Sequence, residues 1–207
     1  YYIMKRLIAY FSFGMMILFP VFSQAQKATK VKVAEDAFVQ GGETATEALG
    51  ATISDRLRIQ KSDGNDKYSR STYLKFAFDA QKDFSSAVLN LCLKVNASKN
   101  DVDAQFSLDV YSSENEAWDE ASITFEKCPA IQDLMGQTTL APNENNDWVQ
   151  IELNAETLKK LIKANQGTVT LVLYNKDFNQ TSAEVISKER KWQNGAPAKR
   201  EAFVELK

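Results

Sequence analysis

The sequence predicts an all-β protein built from two packed sheets, with one short surface helix. Three observations carry this. Short runs in which apolar and polar residues alternate recur at 30–39, 56–61, 72–78, 86–95, 105–111, 148–153, 168–174, 184–188 and 201–206. Such alternation is the period of a half-buried strand, and nine strands of this length call for two sheets face to face. Clusters of Gly, Asn, Asp and Ser separate the runs, as turns require. Helical spacing is confined almost entirely to 154–163, which opens on Asn154 as an N-cap, carries Glu156 in its first turn and places Leu158, Leu161 and Ile162 on one face. A further helical turn is expected over 115–122. Long polar loops are expected at 41–55, 61–71, 131–147 and 191–199.

The beginning of the chain reads as an address. Tyr1, Tyr2 and Ile3 precede the first methionine, Met4; Lys5 and Arg6 follow, then an apolar stretch from Leu7 to Phe19, then Ser23-Gln24-Ala25 with small residues at a cleavage site. This is the pattern of a secretory signal, and the apolar stretch is shorter than the ~20 residues a membrane-spanning helix needs. Cleavage near Ala25 takes 25 residues from 207 and leaves 182, one domain spanning 26–207 in a secreted or periplasmic protein without membrane insertion. It removes two cations and no acid, so the formal charge of −2 becomes −4. That balance argues against a nucleic-acid partner. Export permits a bridge between Cys92 and Cys128, but two separate buried thiols fit equally well.

The chain has no histidine, which excludes Ser-His-Asp and Cys-His nucleophile systems and histidine zinc sites. No paired-carboxylate signature stands out among the 27 acids. The strands do carry cations in a pattern. Alternation points Leu57 and Ile59 one way and Arg56 and Arg58 the other; it sets Leu74, Phe76 and Phe78 against Tyr73 and Lys75, and puts Lys188 and Arg190 on one side. If these strands are neighbours, they form a basic, partly aromatic face able to grip the carboxylates of an acidic polysaccharide; otherwise they are ordinary solvated faces. Of the tryptophans, Trp118 and Trp148 stand at strand beginnings, where a ring caps the core, whereas Trp192 lies in a polar loop beside Arg190 and Lys191 and is the exposed candidate.

Seven short segments, in order, resemble a known family. They are Ala34-Glu35-Asp36-Ala37-Phe38-Val39 with the loop ending Leu49-Gly50; Leu57-Arg58-Ile59; Arg70-Ser71-Thr72-Tyr73-Leu74-Lys75-Phe76; Ala87-Val88-Leu89-Asn90-Leu91; Trp118-Asp119-Glu120-Ala121-Ser122-Ile123-Thr124-Phe125 with Pro129-Ala130; Trp148-Val149-Gln150-Ile151; and Ile186-Ser187-Lys188-Glu189 with Ala196-Pro197. Together they are similar to DNRLRE-type modules, carbohydrate-binding module family 96, over about 33–206. Phe125 stands where the family usually has tryptophan, and Glu47-Ala48-Leu49-Gly50 departs from its usual first loop.

The resemblance implies a jelly-roll sandwich that binds an acidic polysaccharide such as alginate without cleaving it; a monomer is expected. It maps the family's basic residues onto Arg58, Arg70, Lys75, Lys188 and Arg190, with Tyr73 as a stacking partner, and Trp192 joins them from the residue pattern. It also implies a structural calcium, for which Asp36 and Glu189 offer hard oxygen ligands, helped by carbonyls around Gly50. Two rival readings are an extracellular structural or adhesion sandwich without a sugar site, and a lyase using Tyr73 with Lys75 or Arg58.

Overall fold

Period-two alternation sorts the side chains of each strand between a shared core and an outer face. In the computed structural model, which describes residues 28–207 except 54 and 63–65, Leu89, Leu91, Leu93 and Val95 of one strand all point into that core. The expected export signal lies outside the described residues.

Among the described residues the strands are β1 (Thr29–Gln40), β2 (Arg56–Ile59), β3 (Arg70–Ala77), β4 (Ala87–Asn96), β5 (Phe106–Ser113), β6 (Ile131–Leu140), β7 (Asp147–Leu153), β8 (Thr168–Tyr174), β9 (Ser182–Ile186) and β10 (Phe203–Leu206), with the helix α1 (Ala155–Ala164) between β7 and β8. All pairings are antiparallel, and the result is an all-β sandwich. In the first sheet β4 is central: β7 pairs along one edge, while β10 and β9 share the other, and these in turn pair with the start of β1 and with β2. The second sheet runs β1–β3–β8–β5–β6. β1 serves both sheets, pairing with β10 over 29–32 and with β3 from Val33 onward, with a register irregularity between Val33 and Glu35.

The core between the sheets holds Leu57, Ile59, Leu74, Phe76, Leu108, Ile151, Leu171, Leu173, Val185 and Val204. Burying each such side chain contributes about 1.5–3 kcal/mol. The helix forms as its sequence predicts: the Asn154 side chain accepts from the Thr157 N–H, and Leu158 and Ile162 are buried against the core.

Two local expectations are corrected. Residues 131–140 form strand β6 rather than loop. It is an edge strand with mostly exposed side chains, so burial leaves no clean alternation to read, and Gly136 hides the reason it fits. A Cβ at Gly136 would come within 2.4 Å of the Glu152 carbonyl of β7. Residues 115–122 form turns rather than a helix, because the Asn115 and Asp119 side chains accept from the N–H groups of Ala117 and Ala121 and so draw the backbone into local turns.

Those turns belong to a segment, 114–130, that lies over the outer face of the second sheet. There Trp118 and Ile123 pack on Ala37, Val39, Tyr73 and Val172 in a second apolar cluster. β3 is therefore buried on both faces. The two cysteines are unbridged. Cys92 points outward from β4, and Cys128 joins the cluster on the outer face of the other sheet.

Candidate functional site

The predicted residues fall into three places. The first is the β2–β3 corner. Leu57 and Ile59 are buried, so Arg56 and Arg58 point outward. The Arg58 guanidinium stands 5.9 Å from the centre of the Phe38 ring, and its Nε is buried without a hydrogen-bond partner. Arg70 opens β3 and donates through Nε to Gln40 Oε1 at 2.6 Å and also to Gln60 Oε1. Burial, and then the neighbouring Arg58 charge, hold the Arg70 guanidinium below its ordinary pKa. Among the described residues neither guanidinium is salt-bridged to a carboxylate, although Glu184 joins both in lining a cavity of about 200 Å³. Tyr68 lies close enough to Arg70 to influence its charge and is 52% exposed. Its signal in the sequence was only an aromatic in a polar loop.

The second place is the covered face of the second sheet, and it corrects the expectation for Tyr73 and Lys75. Both are buried, because segment 114–130 covers the side they share. The Tyr73 hydroxyl donates to the Pro129 carbonyl at 2.8 Å, and burial beside Cys128 raises its pKa. Lys75 donates to Glu35 at 2.9 Å and to the Trp118 carbonyl. Neither can stack on or grip a sugar, and the lyase arrangement loses its base. Alternation assigned the two residues to the correct face of β3, but it could not show that the chain returns to cover that face.

The third place is the stretch after β9. Lys188 pairs with Glu120 at 2.7 Å and with Glu189, and Arg190 with Asp55 at 2.6 Å, so these cations are already neutralised. Trp192 is 46% exposed as expected, with the Arg200 guanidinium 5.5 Å from its ring centre. Trp118 is buried as expected, whereas Trp148 is 48% exposed rather than capping the core.

Asp36 and Glu189 are brought together, and Glu120 completes a trio whose nearest carboxylate oxygens lie within 4.8 Å of one another. Asp36 accepts from the Ser187 hydroxyl at 2.9 Å and from the Lys188 N–H at 2.8 Å. Burial nevertheless pushes its pKa up to about 6. Three carboxylates, one of them costly to ionise, offer hard oxygen donors of the kind calcium takes, and the Lys188 ammonium pairs with two of them. Gly50 packs directly against the covering segment, since a Cβ there would meet the Glu120 carbonyl at 2.5 Å. Glu120 sits in the tryptophan-containing segment noted in the sequence, where its spacing gave no hint of Asp36.

A sandwich that carries, among its described residues, two guanidiniums without a carboxylate partner and several exposed rings agrees with the family comparison. The model of carbohydrate-binding module family 96 matches residues 27–197. The chain belongs to this family. Family 96 is a family of binding modules, so the family itself is one of carbohydrate binding rather than catalysis. No curated protein matches the sequence. Among solved structures, the chain is similar to the crystal structure of the Agl-KA catalytic domain (13% identity, 87% of this chain and 27% of that one, TM-score 0.35). It is also similar to the CBM22-1–GH10 modules of Clostridium thermocellum endo-1,4-beta-D-xylanase 10B complexed with xylohexaose (9% identity, 86% of this chain and 28% of that one, TM-score 0.32). The family 96 chain thus spans just over a quarter of each of those structures. No helix among its described residues is long and apolar enough to cross a membrane.

Proposed function

We propose that this family 96 module captures an acidic polysaccharide, with alginate as the first candidate, and does not cleave it. The observation that carries the reading is the Arg58–Arg70 pair: two neighbouring guanidiniums at one cavity, neither salt-bridged to a carboxylate among the described residues. A guanidinium matches a carboxylate in a two-pronged hydrogen bond, and two of them side by side favour a ligand with repeated carboxylates. Tyr68, half exposed and near Arg70, adds an aromatic ring that a sugar could contact. In this reading the protein works outside the cytoplasm as a monomer. Asp36, Glu120 and Glu189 hold a calcium that ties β1 to the 187–189 turn and to the covering segment.

Affinity electrophoresis on alginate and on neutral glycans, over rising salt, tests this. Retardation on alginate should weaken with salt, because exposed ion pairs are screened over ~8 Å at physiological ionic strength. Arg58→Ala and Arg70→Ala should each weaken it about ten-fold, which is about 1.4 kcal/mol. Absence of retardation on every acidic glycan, or salt-insensitive retardation, overturns the reading.

A further inference from the structure

The outer face of the first sheet carries a second group of rings that the guanidinium corner does not use. Val149 and Ile151 of β7 pack on the core, so Trp148 and Gln150 point outward. Across the sheet Trp148 pairs with Cys92, and Gln150 with Asn90, which in turn pairs with Phe203 of β10. The Trp148 and Phe203 rings meet edge to face at 5.5 Å between centres. Lys30 of β1 lies 4.5 Å from the centre of the Phe203 ring.

The strip continues toward the 187–200 stretch. β10 runs antiparallel to β4 with Phe203 opposite Asn90, so Arg200, three residues earlier, lies toward Cys92, whose thiol its charge also influences. The same guanidinium sits over Trp192. Residues 190–194 line an open concavity there of about 530 Å³. Arg200 is therefore near both Trp192 and Cys92, the strand partner of Trp148, and each of the two rings is nearly half exposed.

Two features fit a sugar chain as the occupant. The Trp148 ring, nearly half exposed on the sheet, presents apolar area that matches the C–H face of a pyranose. Polar groups stand beside them to meet hydroxyls: Gln150 Nε2 donates to Asn90 Oδ1 at 3.0 Å, leaving the Gln150 carbonyl and its second amide hydrogen for other partners. Lys30 and Arg200 are placed on ring faces.

We propose that Trp148, Phe203 and Trp192, with Gln150 and Arg200, form a second carbohydrate-binding surface that takes pyranose rings by their uncharged faces. It rests on the family's carbohydrate binding and not on the acidic-glycan reading of Arg58 and Arg70. The two sites separate by salt: the corner binds through charge, and this strip through apolar contact that salt does not screen.

The test is titration calorimetry with intrinsic tryptophan fluorescence in high salt, using cellohexaose, xylohexaose, mannohexaose and laminarihexaose as separate probes. At least one should bind and shift the emission. Trp148→Ala and Trp192→Ala should each weaken it ten-fold or more while circular dichroism and Tm stay unchanged, and Arg58→Ala should leave it intact. Lack of binding by every probe, or binding unaffected by both tryptophan variants, overturns the proposal. So does concentration-dependent dimerisation in sedimentation that Trp148→Ala abolishes, because a second copy of the chain would then be the occupant.

Discussion

The Lys75 ammonium stands 4.5 Å from the centre of the Trp118 ring while also donating to the carbonyl of that same residue. Glu35 accepts from the ammonium and from the Glu120 N–H, and the Trp118 indole N–H donates to Thr170 Oγ1 at 2.9 Å. Lys75 is thus the post to which the covering segment is fastened. Lys75 is buried while Glu35 keeps about a third of its side chain exposed, so removing the ammonium leaves a partly solvated carboxylate and the Trp118 carbonyl without their donor, at a cost of about 1–3 kcal/mol. Lys75→Ala should lower the urea midpoint by a corresponding amount and leave alginate affinity unchanged under conditions where the variant is folded. A loss of affinity with undiminished stability would return Lys75 to the binding surface.

Arg70 separates charge from geometry. Its fork already reaches Gln40 and Gln60, and a lysine keeps the charge but offers a single ammonium in place of a planar array. Arg70→Lys should therefore weaken alginate binding nearly as much as Arg70→Ala, as read by calorimetry at low salt. Full affinity in the lysine variant would show that the corner acts only as a diffuse positive field.

The strands were legible because alternation reports burial directly, and wherever one face met the core, as in β2, β4, β7 and β8, the pattern marked them. β6 escaped because an exposed edge strand with a glycine at a close approach carries no such pattern. At the site, Arg58 and Trp192 were legible as a cation and a ring on polar faces, and Arg70 only through the resemblance to the family. Tyr73 and Lys75 looked the same locally, and only segment 114–130, some forty residues further along the chain, distinguishes them. Glu120 and Trp148 escaped for the same reason: what surrounds them is set by partners distant in sequence.

The thiols follow from topology. Cys92 and Cys128 lie on the outer sides of different sheets, so a thiol titration of denatured protein should find both free. In the folded protein Cys92 should resist alkylation, because it is wholly buried and that burial raises its pKa. A bridged pair would contradict the placement of the covering segment.

Asp36 should make the protein acid-preferring when cations are removed. Its folded pKa of about 6 lies above the ordinary 3.8, so between these values the folded state holds the proton more tightly. Stability is then greatest below the lower value and falls as pH rises through the higher one. A shift of this size corresponds to about 3 kcal/mol. Glu120, Glu189 and Lys188 face the same carboxyl, so the comparison that isolates it is wild type against Asp36→Asn, both in EDTA. The variant should gain stability over wild type as pH rises from about 4 to about 7, relative to their difference at the acid end. Parallel curves would remove the assignment.

Calcium should reverse that penalty, because a divalent cation among Asp36, Glu120 and Glu189 favours their charged forms. With a dissociation constant of ~0.1–1 mM, as for other extracellular modules, ~10 mM calcium should stabilise the fold by about 1.4–2.7 kcal/mol. Lys188 gives the sharper test. Its ammonium, paired with Glu120 and Glu189, competes for the oxygens a calcium ion would take. Lys188→Met should therefore lower Tm in EDTA, where three carboxylates lose their counter-charge, and raise calcium affinity. Glu120→Gln should reduce that affinity. If neither wild type nor Lys188→Met shows a calcium-dependent rise in Tm, the trio is a lysine-neutralised cluster that holds the covering segment to β1 and the 187–189 turn without a metal.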